Sequence, residues 1–129
     1  MDYTYRRGDV CWFTDPHPST DGTHVMHGDH PCVVVSDNGC NYNTDTVIIA
    51  MMTSNVNKRM YQGQFDVVLD GRRSRVRCDQ MRVVDKSCLD TPIATLSTDA
   101  IAKLDYAIRD ICGLVTPTCP EVGLAEEED

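Results

Sequence analysis

The chain has 129 residues, of which 41% are hydrophobic and 25% charged, and its formal net charge is −8. This length suits one domain with a real core, and no apolar run approaches the roughly 18 residues that a membrane span requires. The N-terminus leads straight into a strand pattern without the apolar segment of a secretory signal, so we expect a soluble, cytoplasmic protein.

Seven cysteines are present, and no two of them form a Cys-x-x-Cys pair. Four lie inside apolar strand or helix patterns, namely Cys11, Cys32, Cys78 and Cys112. Buried, reduced thiols explain this distribution better than a disulfide scaffold or a structural zinc site does.

The charge is unevenly distributed along the chain. Residues 115–129 carry five acidic residues and no basic one, and residues 13–57 carry five aspartates and no Lys or Arg. Residues 58–86, in contrast, carry eight basic residues against four aspartates, a net charge of +4. A nucleic-acid partner is therefore compatible with the sequence, although the whole chain is acidic.

Five apolar runs bounded by Gly, Pro, Asp or Asn have the length and composition of β-strands. They cover residues 7–13, 31–36, 46–53, 65–69 and 75–80. Asp70-Gly71 is a hairpin signal between the last two. We expect residues 37–43 to form a turn and a loop, and residues 83–91 to form a connector with one helical turn near residues 87–90.

A long polar loop, residues 14–30, contains all four histidines of the chain. A loop of this length in a small domain is typically functional or disordered. His24, His27 and His30 are spaced three residues apart, but the Gly, Asp and Thr content of the loop argues against a helix that would align them. A transition-metal site on these imidazoles is one hypothesis, although no second cluster with ligand spacing supports it.

A C-terminal helix is predicted from the cap at Ser97 or Thr98 to the stop at Gly113. Its apolar stripe, more typical of a core face than of a cofactor site, consists of Ile101, Leu104, Ile108, Ile111 and Leu114. We predict one domain over residues 1–114 and a disordered acidic tail over residues 115–129. The pattern alone indicates an α+β fold with five or more strands.

Residues 75–85 are the stretch of the chain where catalytic side chains are most expected. Alternation over residues 75–80 predicts that Arg77 and Asp79 share one face of a half-buried strand, about 7 Å apart at their bases. A guanidinium group beside a carboxylate suits a reaction at a phosphate. The guanidinium can stabilise negative charge while the carboxylate accepts or donates a proton. The simpler interpretation is an exposed ion pair, worth about 0–1 kcal/mol.

A resemblance favours the functional interpretation. The late strand resembles that of the PemK/Kid branch of the MazF toxin family, small ribonucleases of toxin–antitoxin pairs, and the similarity runs from about residue 7 to residue 114. The matching pieces are Gly8-Asp9 with Trp12, Asp15-Pro16, the Pro31 strand, the Thr53 strand exit, the run Val76-Arg77-Cys78-Asp79-Gln80 with Arg82 and Asp85, and the last helix. The resemblance implies a small SH3-like barrel, similar to PemK and CcdB, with about five to seven antiparallel strands and a C-terminal helix. Proteins of this family pair as homodimers.

The resemblance also implies candidate catalytic residues. In the PemK/Kid branch these are an Arg and an Asp two residues apart, matched by Arg77 and Asp79, and a loop histidine, matched by His24. The MazF branch uses a Thr at the end of the third strand, matched by Thr53, and an Arg directly before the proline, where this chain has His30. An imidazole cannot replace the five-donor guanidinium fork at a phosphate, but it could still move a proton.

The implied reaction needs no metal or other cofactor. A base takes the proton of the RNA 2′-OH, which attacks the adjacent phosphate and yields a 2′,3′-cyclic phosphate and a 5′-OH. Asp79 is the candidate base, Arg77 the charge stabiliser and acid, and Thr53 a phosphate donor, with His24 and His30 holding the RNA or sharing the proton transfer. Candidate contacts to single-stranded RNA are Lys58, Arg59, Tyr61, Arg75 and Gln80.

Three hypotheses remain at this point. The first is a sequence-selective endoribonuclease toxin inhibited by a cognate antitoxin, with no membrane or DNA partner. The second is an inactive relative that acts as a protein-binding module, such as a gyrase-poison-like binder. The third is a metal-binding protein that uses the loop histidines.

Overall fold

The computed structural model describes residues 3–18 and 22–114, and its main feature is a six-stranded antiparallel sheet. The strand order is β4-β5-β3-β2-β1-β6. The elements in chain order are β1 (Asp9–Phe13), β2 (His30–Val34), α1 (Asn38–Asn43), β3 (Thr46–Thr53), β4 (Gln64–Leu69), β5 (Arg72–Asp85), a 3₁₀ turn (Lys86–Cys88), β6 (Ala94–Thr95) and α2 (Thr98–Ile111). The sheet is curled into a half-barrel, which confirms the predicted small barrel with a C-terminal helix.

Apolar side chains cover both faces of the central strands, because successive residues of a strand point to opposite sides. Val10, Val33 and Ala50 belong to the cluster that packs against α2. Their neighbours Cys11 and Cys32 belong to a second cluster on the other face. The two layers explain why the strands at the centre of the sheet read as continuous apolar runs.

Helix α2 begins and ends where the sequence predicts. The Ser97 side chain accepts a hydrogen bond from the backbone N–H of Ala100, and Gly113 follows the helix with a φ of 74°. Ile101, Leu104, Ile108 and Ile111 all contact the main core. Leu114, however, is 68% exposed, so its assignment to the apolar stripe was wrong.

Strand β5 is longer than predicted and contains an irregularity. It runs to Asp85, because Val84 pairs with Val47 on β3 and is buried in the second cluster. The prediction of a connector starting at residue 83 was therefore wrong. On β3, Ala50 pairs with Met81 and the next residue, Met51, pairs with Arg77, so residues 78–80 bulge out of the β3–β5 ladder.

Three other local features differ from the prediction. Residues 38–43 form the helix α1 rather than a turn and loop, since the Asp37 carboxylate caps it at Gly39 and Asn41 is fully buried. The 3₁₀ turn comes at Lys86–Cys88, slightly earlier than expected. The short strand β6 pairs with β1 through Val10 and was not predicted.

The thiols of Cys11, Cys32 and Cys78 are buried and unpaired by disulfides, as expected, but Cys112 is exposed. Cys112 follows α2 as its C-cap rather than lying within the helix, so its predicted burial was wrong. Burial raises the pKa of Cys11 and of Cys78 to about 12, and such thiols are poor nucleophiles. Within the described ranges, no helix combines the length and apolar character needed to cross a membrane. The predicted acidic tail, residues 115–129, lies outside the described residues.

Candidate active site

A cleft of about 250 Å³ opens where β3 and β5 meet the loop between β3 and β4, residues 54–63. Its lining residues are mostly polar or cationic, and they are Thr53, Asn55, Lys58, Arg59, Tyr61, Gln64, Arg75 and Arg77. Six of these eight are candidates from the sequence, so the fold brings most of the predicted set together.

Arg77 and Asp79 form a two-point ion pair beside this cleft. Arg77 Nε lies 3.1 Å from Asp79 Oδ1, and Arg77 Nη2 lies 2.7 Å from Asp79 Oδ2. About a quarter of each side chain is exposed, 26% and 24% respectively, so neither group faces a packed interior. Burial acts to raise the pKa of Asp79, but hydrogen bonds from Arg77 and Gln64 outweigh it and leave the pKa below its usual value.

Gln64, at the start of β4, is a site residue that the sequence analysis missed. It pairs with Arg77 across the β4–β5 ladder, and its Nε2 donates a hydrogen bond of 3.1 Å to Asp79 Oδ2. A glutamine at the start of a strand does not by itself indicate a functional residue. Only the register between the two strands reveals the contact.

Thr53 ends β3 at the wall of the cleft. Its Oγ1 accepts a hydrogen bond of 3.1 Å from the backbone N–H of Asn55, the local capping contact common for a strand-end hydroxyl. The hydroxyl proton is still available to donate to a ligand, because this contact uses only an oxygen lone pair.

Arg75 lies in the cleft wall but is buried, with 5% of its side chain exposed. It donates to both carboxylate oxygens of Asp66, at 2.7 and 3.2 Å, and to the carbonyl oxygens of Lys58 and Val56, at 2.7 and 3.1 Å. The guanidinium is therefore committed to holding the loop 54–63 in place. This arrangement points to a supporting position rather than the direct RNA contact expected from the sequence.

The loop held by Arg75 presents the other cationic and aromatic candidates to solvent. Lys58 and Arg59 are exposed, and the Arg59 guanidinium lies 5.4 Å from the centre of the Tyr61 ring. Tyr61 itself is 61% exposed. An exposed aromatic face next to two cations is a surface on which a nucleobase and its phosphate can rest.

The loop between β1 and β2 is fastened to β5 by Gln80. The Gln80 side chain accepts from the backbone N–H of Met26 at 3.0 Å and donates to the carbonyl oxygen of His24 at 3.3 Å. Arg77 Nη1 also approaches Met26 Sδ at 3.9 Å. Gln80 thus supports the loop, and its expected contact with RNA stays a prediction.

The two histidine candidates are placed differently. His24 is exposed on the fastened loop and is not among the residues that line the cleft. His30 begins β2 opposite Phe13, and its Nε2 donates to the carbonyl oxygen of His27 at 2.9 Å. The β2–β3 ladder ends at the Cys32–Met51 pair, two residues short of both His30 and Thr53.

Asp15 anchors the base of the same loop, whereas the sequence pointed to it only as part of the matching pair Asp15-Pro16. Its buried carboxylate accepts from the backbone N–H groups of His17 and Gly28 at 3.0 Å each, and Arg82 Nη1 lies 3.7 Å away. Burial acts to raise the pKa of Asp15, but these hydrogen bonds and the nearby charge lower it overall.

The loop histidines do not assemble into a metal-binding set in the described structure. Among residues 3–18 and 22–114, no three side chains of His, Cys, Asp or Glu are arranged to hold a metal ion. The metal-binding hypothesis therefore gains no geometric support from this part of the chain.

A curled six-stranded antiparallel half-barrel with a C-terminal helix defines a small domain of the MazF fold class. The sequence agrees with this class over most of its length. Residues 6–112 match the PemK-like, MazF-like toxins of type II toxin–antitoxin systems, and the chain belongs to that family.

Solved structures with the same fold include several toxins. MazF from Deinococcus radiodurans superimposes with a TM-score of 0.71 at 22% identity, covering 87% of this chain and 99% of that one. An endoribonuclease in complex with its cognate antitoxin, from a mycobacterial species, gives a TM-score of 0.69 at 20% identity, covering 88% and 99%. MazF in a MazE–MazF complex from D. radiodurans gives 0.65 at 23% identity, covering 88% and 100%. No curated protein sequence shows a significant match.

Proposed function

We propose that this protein is a cytoplasmic endoribonuclease toxin that cleaves single-stranded RNA selectively and without a metal ion. The Arg77–Asp79 pair beside a cationic cleft is the observation that carries the proposal. The cleft has a volume of about 250 Å³, and its wall carries the exposed cations Lys58 and Arg59. The pair is a quarter exposed, so a phosphodiester can reach it.

Asp79 is the base in the proposed reaction. Its pKa is lowered, so the carboxylate is ionised throughout the neutral range and ready to take the proton of the 2′-OH. The freed oxygen attacks the adjacent phosphorus, the bond to the 5′-oxygen breaks, and the products are a 2′,3′-cyclic phosphate and a 5′-OH. Sequence selectivity would come from two loops, residues 22–29 before β2 and residues 54–63 before β4.

Arg77 stabilises the charge on the phosphorane in this scheme. Nε and one Nη2 proton are used on Asp79, which leaves donors on Nη1 and Nη2 for phosphate oxygens. Guanidinium does not release its proton under ordinary conditions, so we assign the protonation of the leaving 5′-oxygen to an imidazole. His30 at the start of β2 and His24 on the loop before it are the two candidates.

An antitoxin is the proposed protein partner, and the toxin is proposed to act as a homodimer. Two of the three similar structures named above were solved as toxin–antitoxin complexes. An acidic segment of such a partner would complement the cleft, where Lys58, Arg59 and Arg77 lie together.

The test is cleavage of a mixed-sequence RNA oligonucleotide by the purified protein in excess chelator, with the product ends identified. We expect cyclic-phosphate ends and a loss of at least about 100-fold in rate for Asp79→Asn. Asp85→Asn is the matched control, because Asp85 is an exposed carboxylate at the end of the same strand. Uncut RNA with a folded wild-type protein would favour the inactive protein-binding relative instead, and loss of cleavage in chelator would favour a metal-dependent enzyme.

A further inference from the structure

Gln64 is placed so that each end of its side-chain amide meets a different part of the site. Its Nε2 donates to Asp79 Oδ2 at 3.1 Å, and its Oε1 accepts from the backbone N–H of Tyr61 at 3.3 Å. The orientation of the amide is determined by these partners, because a backbone N–H can only donate and an ionised carboxylate can only accept.

We propose that Gln64 is a positioning residue that holds the Asp79 carboxylate in place and couples it to the loop carrying Lys58, Arg59 and Tyr61. This inference rests on the proposed role of Asp79 in RNA cleavage. Gln64 makes no bond to the reacting atoms in this scheme and acts through Asp79.

The contact with Gln64 makes the two oxygens of Asp79 unequal. Oδ2 accepts two side-chain hydrogen bonds, from Arg77 Nη2 and Gln64 Nε2, whereas Oδ1 accepts one, from Arg77 Nε. Oδ1 therefore retains more capacity to accept a proton. Gln64 stops the carboxylate from rotating away from this orientation, so that Oδ1 is the atom presented to the 2′-OH.

The bulge in β5 explains why Asp79 needs a further contact to hold it. We call this contact, the hydrogen bond from Gln64 to Asp79, the Gln64 clamp. Residues 78–80 have no partners on β3, so the backbone that carries Asp79 is not held by that ladder. On the other side, the backbone N–H of Cys78 donates to the carbonyl oxygen of Gly63 at 2.8 Å. Gly63 and Gln64 thus hold the bulge from the β4 side, one through the backbone and the other through the side chain.

The Gln64 amide also connects the loop 54–63 to Asp79, because it forms hydrogen bonds to both. Tyr61 lies between the exposed cations and Gln64, and the turn back into β4 is closed by a hydrogen bond of 3.2 Å from Gln64 N to Tyr61 O. A ligand that moves this loop will also move the donor that fixes Asp79. Binding at the loop and the alignment of the base are therefore linked through one side chain.

Two substitutions test the clamp without enlarging the side chain. Gln64→Glu keeps an acceptor for Tyr61 N–H but loses the donor to Asp79 and adds a like charge. Gln64→Met loses the donor without adding charge. Gln62→Glu is the matched control, since Gln62 lies in the same loop but donates to Asp110 on α2, at 3.0 Å, rather than to Asp79.

The first readout is the titration of the Asp79 carboxyl carbon by NMR, which does not require activity. We expect the Asp79 pKa to rise in both Gln64 variants and to stay at the wild-type value in Gln62→Glu. The second readout is single-turnover cleavage at neutral pH, where we expect a loss of about 10- to 100-fold in rate with RNA affinity nearly unchanged.

If the pKa of Asp79 in Gln64→Met stays at the wild-type value, the proposal is wrong. A rise of this pKa in Gln64→Glu alone would then reflect only the added negative charge. An equal rise in Gln62→Glu would also overturn it. If the titrations move as expected but the wild-type protein leaves RNA intact, the clamp stands and the proposed ribonuclease activity fails.

Discussion

Replacing Arg75 with alanine should be among the most destabilising single changes in the site, although Arg75 is not assigned a chemical role. The side chain is 5% exposed and makes four hydrogen bonds, two to Asp66 and one each to the carbonyl oxygens of Val56 and Lys58. Alanine would remove all four and leave the Asp66 carboxylate, itself 12% exposed, without its main partner.

Breaking a buried ion pair by removing one partner costs about 3–5 kcal/mol. We expect the lower end, about 3 kcal/mol, because Arg73 Nη2 lies 3.6 Å from the same carboxylate and can take over part of its neutralisation. At roughly 4 °C per kcal/mol for a domain of this size, the melting temperature should fall by roughly 10–15 °C. Calorimetry and urea unfolding measure this directly.

Arg73→Ala is the control, because Arg73 is 65% exposed and its contact with Asp66 is long. Its loss should cost no more than about 1 kcal/mol. If Arg75→Ala and Arg73→Ala destabilise the protein equally, the Arg75–Asp66 pair is not the buried anchor described above, and the loop 54–63 must be held by other contacts.

Three further changes have expected outcomes. Gly63→Ala should destabilise the protein by about 1–3 kcal/mol in thermal unfolding, because Gly63 has a φ of 80° and an added Cβ would lie 3.0 Å from Ile111. Lys58→Ala should lower the salt dependence of RNA affinity, with the log–log slope reduced by about 0.7, whereas Lys86→Ala, outside the cleft, should leave the slope unchanged. The Asp15 pKa is lowered by folding, so this group stabilises the protein above the usual pKa of aspartate and loses that contribution as the pH falls through its lower folded value. Acid unfolding followed by circular dichroism should therefore be less steep for Asp15→Asn than for the wild type as the pH falls below about 4, the usual pKa of aspartate.

The sequence was a good guide to the regular elements because their signals are local. Apolar runs predicted the five main strands, and the cap at Ser97 and the stop at Gly113 predicted α2 to within a residue or two. Helix α1 was missed because Asp37-Asn38-Gly39 also has the composition of a turn. Its stability depends on the burial of Asn41 against Ser36, a contact that a local pattern does not reveal.

The site was predicted less completely, because several of its contacts depend on strand register. Alternation suggested that Arg77 and Asp79 would share a face, and the structure pairs them, but at a bulge where alternation against β3 is interrupted. Gln64 reaches Asp79 only because β4 pairs with β5 at Arg77. The burial of Arg75 depends on Asp66 at the facing position of β4, and in a one-dimensional pattern Arg75 looks like any other exposed strand cation.

We expect that having His30 in place of an arginine affects how one phosphate is held more than it affects the charge of the cleft. Four basic side chains, Lys58, Arg59, Arg75 and Arg77, line the cleft without it. Arg75 is neutralised internally by Asp66, and Arg77 shares its charge with Asp79, so Lys58 and Arg59 supply most of the attraction for the RNA backbone. An arginine before Pro31 would add bidentate hydrogen bonding to one phosphate. We therefore expect His30→Arg to change the rate of the chemical step and the pH dependence of cleavage more than it changes the affinity for RNA. An equal gain in affinity and in rate would refute the idea that position 30 acts on the chemical step while Lys58 and Arg59 provide the affinity.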